Sequence, residues 1–131
     1  MNRKSLLLIA CAAFLIAPAL AFAGQVEGVI QGLNCVTKGV SCPIDKKDPV
    51  VATEQTFVVL TSSGAHYLVP NLDRAIMARY ITENVKISGK INEEYKSIKA
   101  DALRVKQKEK WVTVWSQEMV EAWEKAYDSD I

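Results

Sequence analysis

The chain has few of the residues on which most catalytic and nucleic-acid-binding sites depend. Its 131 residues include one histidine, three cysteines and only 8% aromatic residues, and 16 Lys and Arg face 15 Asp and Glu. So small a net charge lacks the excess of cations that drives sequence-independent binding to nucleic acid or to an anionic membrane. His66 is the only imidazole available to a hydrolytic triad, and no serine lies in a G-x-S-x-G turn. We therefore expect no enzyme activity, no catalytic residue, no cofactor and no nucleic-acid partner.

The amino-terminal segment has the pattern of a cleavable signal peptide. Arg3 and Lys4 precede an uncharged apolar run from Leu6 to Ala17, and residues 21–23 read Ala-Phe-Ala, the small-residue pattern that signal peptidases cleave after. We expect residues 1–23 to be removed. The mature protein would then begin at Gly24 and be periplasmic or secreted.

Two other interpretations of this segment stay open. Leu8 to Cys11 matches the lipobox of bacterial lipoproteins, which would place a lipid on Cys11, although a lipobox cysteine should end the apolar run and this run continues past it. An uncleaved membrane anchor needs about 20 consecutive apolar residues, and Pro18 interrupts the run. We therefore expect no transmembrane span in the mature protein.

Export determines how the two remaining cysteines are interpreted. Cys35 and Cys42 form an even pair in an oxidising compartment, and the residues between them include Gly39, so a disulfide is the favoured prediction. Closing so short a loop stabilises the fold by roughly 2.5 kcal/mol. The alternative function is a metal-binding or redox module that uses Cys35, Cys42 and His66. Because a structural zinc site needs four ligands and redox pairs usually have C-x-x-C spacing, no metal site is favoured.

The mature chain of about 108 residues is the size of one domain, and it shows strand-like runs separated by turns. Asn71 is a good N-cap for a short helix after the third run, and a phase slip near residues 102–103 predicts a bulge. Strands are predicted at residues 25–34, 56–61, 65–69, 85–91 and 98–105. This order predicts a mainly β fold: a five-stranded OB-like Greek-key barrel over residues 24–110, with a short helix between strands 3 and 4.

The same runs carry a family resemblance over about residues 25–106. The chain resembles small exported bacterial OB-fold-like domains, mostly of unknown function, in the cysteine pair and in the runs Gly28-Val29-Ile30, Phe57-Val58-Val59-Leu60 with Ala65-His66-Tyr67-Leu68, and Val85-Lys86-Ile87-Ser88-Gly89-Lys90-Ile91. The resemblance implies a fold and a compartment. It brings no catalytic residue to this chain.

Residues 111–131 form a tail that contains all three tryptophans. The pattern predicts a short strand followed by a C-terminal amphipathic helix capped by Ser116, with the tail packing on the barrel. Such packing would bury the indoles, whereas exposed indoles would suit a protein partner, because tryptophan is enriched at binding hot spots. The candidate binding surface comprises His66, Tyr67, Trp111, Trp115 and Trp123. We expect an exported, non-catalytic binding or structural module of the bacterial envelope that engages a protein partner or a small ligand.

Overall fold

The computed structural model describes residues 22–129. Residues 1–21 of the predicted signal peptide, Cys11 among them, lie outside the described residues. The elements in chain order are β1 (Phe22–Gly32), α1 (Leu33–Thr37), α2 (Val50–Thr53), β2 (Phe57–Leu60), β3 (His66–Leu68), α3 (Arg74–Arg79), β4 (Asn84–Asn92), β5 (Ser97–Gln107), β6 (Lys110–Ser116) and α4 (Gln117–Ser129). Between residues 22 and 129, no helix has the length and apolar character needed to cross a membrane.

The strands form one sheet in the order β3-β2-β1-β4-β5-β6, so the prediction of a mainly β fold with a C-terminal helix is confirmed. Neighbours in this order run antiparallel. In addition, β3 and β5 pair in parallel at one position, where Leu68 lies opposite Ser97. The sheet has six strands because β6, which the sequence assigned to the tail, pairs along β5.

Period-two alternation explains how the sheet builds its core. On β4, Val85, Ile87 and Ile91 are buried, and the residues between them, apart from the buried Gly89, face outward. Val26 and Ile30 of β1 contribute to the same core. Burying a side chain of this size stabilises the fold by about 1.5–3 kcal/mol relative to leaving it in water.

A bulge in β5 reverses the alternation partway along that strand. Ser88 lies opposite Ala102 and Gly89 lies opposite Ala100, so the register passes over Asp101. Buried positions before the bulge are even-numbered and those after it, Leu103 and Val105, are odd-numbered. The predicted phase slip is thereby confirmed.

The helix after β3 is capped by a different residue from the one the sequence predicted. Asp73 is the N-cap of α3, and its carboxylate accepts a hydrogen bond from the Ala75 backbone N–H at 2.6 Å. Asn71 instead pairs with the backbone of Ala100: its Nδ2 donates to the carbonyl at 2.8 Å and its Oδ1 accepts from the N–H at 2.7 Å. The Asn71 side chain therefore acts like a short piece of strand beside the β5 bulge.

The segment between β1 and β2 folds over the outer face of those two strands. Cys35 and Cys42 form the predicted disulfide, with Cα atoms 5.7 Å apart, and the Gly32 N–H donates to the Cys42 carbonyl at 2.8 Å. Val58 is fully buried and Gln31 is 6% exposed, although both belong to the face of their strands that points away from the core. The disulfide loop thus covers a second, smaller buried layer.

The side-chain oxygen of Gln31 is buried in this layer at a cost in stability. Its Oε1 is closed off from solvent and accepts no hydrogen bond within residues 22–129. A buried acceptor without a partner costs about 1–3 kcal/mol. We therefore expect Gln31→Met, which keeps the length of the side chain, to raise the free energy of unfolding by about 1 kcal/mol, measured by urea denaturation.

The exposed neighbour Gln25 on the same face of β1 provides the control. Gln25→Met should change the free energy of unfolding by much less. A Gln31→Met protein that is less stable than the wild type would show that the amide makes a stabilising interaction.

Candidate functional site

The structure places the five predicted surface residues in different environments. Tyr67 is buried in the core at 9% exposure, so its ring is not an open stacking surface. His66 is half-buried on β3, opposite Leu60. Trp111 and Trp115 lie on β6, and Trp123 lies on α4.

Tyr67 belongs to a polar cluster at the turn between β4 and β5. Its hydroxyl donates to the Glu93 carboxylate, with Oε1 at 3.0 Å, and the Lys96 ammonium contacts the same carboxylate and lies over the Tyr67 ring. The Lys96 ammonium, and secondly the Tyr67 hydroxyl, hold the pKa of Glu93 below its ordinary value. Glu93 in turn raises the pKa of Lys96. The cluster fixes the turn to the sheet.

The depressed pKa of Glu93 makes its contribution depend on pH. A carboxylate whose pKa is lower in the folded chain stabilises the fold above its unfolded pKa and loses that effect as the pH falls through the folded value. We expect Glu93→Gln to lower the melting temperature at neutral pH. The difference from wild type should shrink as the pH falls below the ordinary glutamate pKa of about 4.3 and disappear only below the lower pKa of the folded chain. Thermal melts across this range test the expectation, with Glu94→Gln as the control. A difference that stays constant with pH would contradict it.

Trp111 lies on the outer face of the sheet, half-buried beneath a cation. The Lys86 ammonium lies 4.2 Å from the centre of the Trp111 ring and 3.3 Å from the Glu27 carboxylate. Lys106, the residue opposite Trp111 on β5, is exposed. The Trp111 ring is therefore engaged within the chain.

Trp115 points to the other face because the register shifts between β5 and β6. Trp111 is opposite Lys106, but Trp115 is opposite the fully buried Leu103, and the shift falls between Leu103 and Arg104. Directly paired residues share a face of the sheet. Simple alternation, which would place both indoles on one face, is wrong here, and Trp115 packs against the core with Val114.

The helix that follows leaves its apolar side in water. Ser116 caps α4, because its hydroxyl accepts from the Met119 N–H at 3.1 Å, yet α4 contains no buried residue. Met119, Trp123 and Tyr127 repeat at the four-residue spacing of one helix face and are 50%, 66% and 58% exposed. The Trp123 and Tyr127 rings stack with centres 5.5 Å apart. We call these three residues the α4 stripe.

A groove lies between α4 and the end of β6. It has a volume of about 200 Å³ and is lined by Val114, Trp115, Met119, Val120 and Trp123. Within the groove Trp115 packs against the core, whereas Trp123 is exposed to solvent. We call it the tail groove. Of the five residues predicted for a binding surface, only Trp115 and Trp123 line it.

Helix α4 and the hairpin that precedes it carry opposite net charges. Residues 99–113, which we call the basic hairpin, contain five cations and two carboxylates, a net charge of +3. Residues 117–129 of α4 contain four carboxylates and one cation, a net charge of −3. Within residues 22–129, no ion pair joins these two segments, since those of the hairpin involve Lys106 and Glu109 only.

A second hollow lies beside the disulfide loop. It has a volume of about 560 Å³, opens to solvent, and has polar side chains on its walls, among them Glu27, Gln31, Ser41 and Asn84. The unpartnered oxygen of Gln31 is closed off from solvent, so a molecule in this hollow would not reach it. The hollow therefore lacks a buried polar group that is free to select a ligand.

The disulfide bears on the metal-binding alternative. Sulfur atoms joined to one another are not thiolates, and metal ions bind the thiolate form of cysteine. Within the part of the chain that the structure describes, no three His, Cys, Asp or Glu side chains are grouped as metal ligands would be. Joined in the disulfide, Cys35 and Cys42 present no thiolate to a metal ion.

The predicted binding surface omitted two residues of the exposed face. Met119 and Tyr127 belong to the periodic pattern that predicts the helix, but the pattern alone does not show whether an apolar helix face is covered. The exposure of Trp123 distinguishes the two cases.

Comparisons of the chain with protein-family models, with curated proteins and with solved structures give no match.

Proposed function

We propose that this chain is an exported, non-catalytic OB-like module that binds a protein partner through the tail groove and the α4 stripe. The observation that carries the proposal is the exposed aromatic face of α4. Monomeric soluble proteins rarely expose large continuous apolar patches, and such patches mark interaction sites. Trp and Tyr are also the side chains most enriched where binding energy concentrates.

The pairing order supports the OB-like part of the proposal. β1 pairs with β2 and β4, β2 pairs with β3, β4 pairs with β5, and the parallel contact between β3 and β5 links the two ends. Five strands with α3 between β3 and β4 are the elements of an OB-fold. In this interpretation β6 and α4 are additions to that unit.

The disulfide and the amino-terminal pattern support export. Disulfides persist in oxidising compartments and are rare in the cytosol. The Cys35–Cys42 pair closes a loop that begins in α1, and α1 contacts β1 and β2, so oxidation of the pair helps hold this segment against the two strands. An envelope or extracellular partner follows from that compartment.

Site-specific photocrosslinking in an exporting bacterium tests the proposal. A photoreactive aromatic residue in place of Trp123 should give a discrete protein adduct. The same residue in place of Ser63, which is exposed in the turn between β2 and β3, should give none. Equal labelling at both positions, or no adduct from position 123, would contradict the proposal.

A further inference from the structure

We infer that the partner of the α4 stripe is a second copy of this chain, whose basic hairpin receives α4. The inference rests on the proposed function and identifies the partner. In the pair, α4 of each copy lies on the basic hairpin of the other, so the same contact occurs twice about a two-fold axis. Such symmetric pairs are the commonest protein oligomers.

Charge complementarity is the first reason for this choice. α4 carries −3 and the basic hairpin +3, and within the described residues neither segment neutralises the other in the same chain. The cations Lys99, Arg104, Lys108 and Lys110 are exposed, as are all four carboxylates of α4. At 3.6 residues per turn most of these carboxylates lie on the side of α4 away from the α4 stripe. Reciprocal docking would therefore bring the two charge sets within electrostatic range of each other rather than into direct ion pairs.

Charge also disfavours the other partners that an amphipathic helix could have. Two α4 helices side by side would bring −3 against −3, and like charges across an interface are unfavourable. An anionic lipid surface would repel the same carboxylates. A basic surface with apolar contacts is the complement, and this chain carries one.

The basic hairpin offers apolar contacts as well as charge. Val112 is 40% exposed on β6. The lysines add their aliphatic stems, which cover apolar surface while the ammonium groups stay in water. The α4 stripe would therefore meet Val112 and lysine stems on the face of β6 that Val112 shares with Lys110, since Val112 pairs with Val105 and Trp111 pairs with Lys106.

The two-fold arrangement also gives the interface enough buried surface area. α4 has 13 residues and a length of about 20 Å, so one face of it falls short of the roughly 800 Å² per partner of a stable interface. In the symmetric pair each copy contributes both a helix and a hairpin, which doubles the buried surface. We expect a reversible dimer that weakens as salt is added.

Sedimentation velocity on the exported chain, purified with its disulfide intact, tests the inference. The wild type should sediment as a concentration-dependent dimer at low salt and as a monomer at high salt. Trp123→Ala should raise the dissociation constant by about tenfold or more. A wild type that stays monomeric at every concentration at low salt would overturn the inference.

Charge-reversal variants identify the surfaces that meet. Glu121→Lys with Glu124→Lys makes α4 basic, and Lys108→Glu with Lys110→Glu makes the hairpin acidic. Each variant alone should lose the dimer, because α4 and the hairpin then carry the same sign. Mixing the two variants should restore a dimer, since each α4 again faces a hairpin of opposite charge.

The hairpin variant separates this arrangement from helix-to-helix pairing. If α4 met α4, Lys108→Glu with Lys110→Glu would still dimerise, and that result would overturn the inference. Thermal melts check that the four exposed substitutions leave the fold intact. A monomeric wild type together with a Trp123 photoadduct to a different protein would overturn the inference and leave the proposed function standing.

Discussion

Replacing Gly89 by alanine is expected to lower the free energy of unfolding by about 3 kcal/mol. A Cβ at this position would lie 2.0 Å from the Lys99 carbonyl oxygen on β5. That oxygen is backbone, so the clash is relieved only by moving one strand relative to the other. The site adjoins the Asp101 bulge, where β5 changes the face it presents to the core.

Urea denaturation of Gly89→Ala measures this cost. Lys90→Ala, at the next and exposed position of β4, is the control and should change stability by less than about 0.5 kcal/mol. A Gly89→Ala protein as stable as the control would show that β4 and β5 do not approach as closely as described.

Glu54→Ala is expected to cost about 3 kcal/mol. Glu54 is 4% exposed, and its carboxylate accepts from the Asn34 N–H at 3.1 Å, from Asn34 Nδ2 at 3.1 Å and from the Thr56 N–H at 3.2 Å. The Asn34 N–H is among the helix-start donors that have no partner within α1. Removing the carboxylate leaves three donors without their acceptor, and donors bonded to a charged group lose the most.

Glu54→Gln separates charge from shape in this arrangement. The amide keeps one acceptor oxygen and the length of the side chain, so it should cost less than alanine but more than zero. Gln55→Ala, at the exposed neighbouring position, should be close to wild type. Equal stabilities of Glu54→Ala and Gln55→Ala by urea denaturation would contradict the role assigned to the carboxylate.

Local patterns predicted the strands because their causes lie within a few residues. Val85, Ile87 and Ile91 alternate with polar neighbours, and that alternation suffices to define β4 and its buried face. The β5 bulge was visible for the same reason, since the buried positions change phase within one strand. The cysteine pair needed only its spacing and an inferred compartment.

Interactions between distant segments were not accessible in the same way. Asn71 looks like an N-cap by its position before a helix, but its amide is taken by the Ala100 backbone, 29 residues away. Glu54 carries no local signal of burial, since two of its three donors belong to Asn34 in α1, 20 residues away. No pattern in either segment alone reports such a contact.

The candidate site shows the same limit. Amphipathic spacing identified the apolar face of α4, and the clustering of three tryptophans drew attention to the tail. Whether that face is covered depends on where β6 directs the helix, which the shift beside Leu103 helps to set. Tyr67 shows the opposite case, because a ring assigned to the surface by its place on a strand is buried under Glu93 and Lys96.

The most direct test of an open tail is fluorescence quenching of Trp123 alone. Trp111→Phe with Trp115→Phe leaves Trp123 as the only tryptophan within residues 22–129, and thermal melts check that this variant is folded. In dilute protein at high salt, where copies separate, we expect red-shifted emission and strong acrylamide quenching, because the Trp123 side chain is 66% exposed. Blue-shifted emission that acrylamide barely quenches under these conditions would mean that α4 packs onto its own sheet, and would contradict a docking surface on the tail.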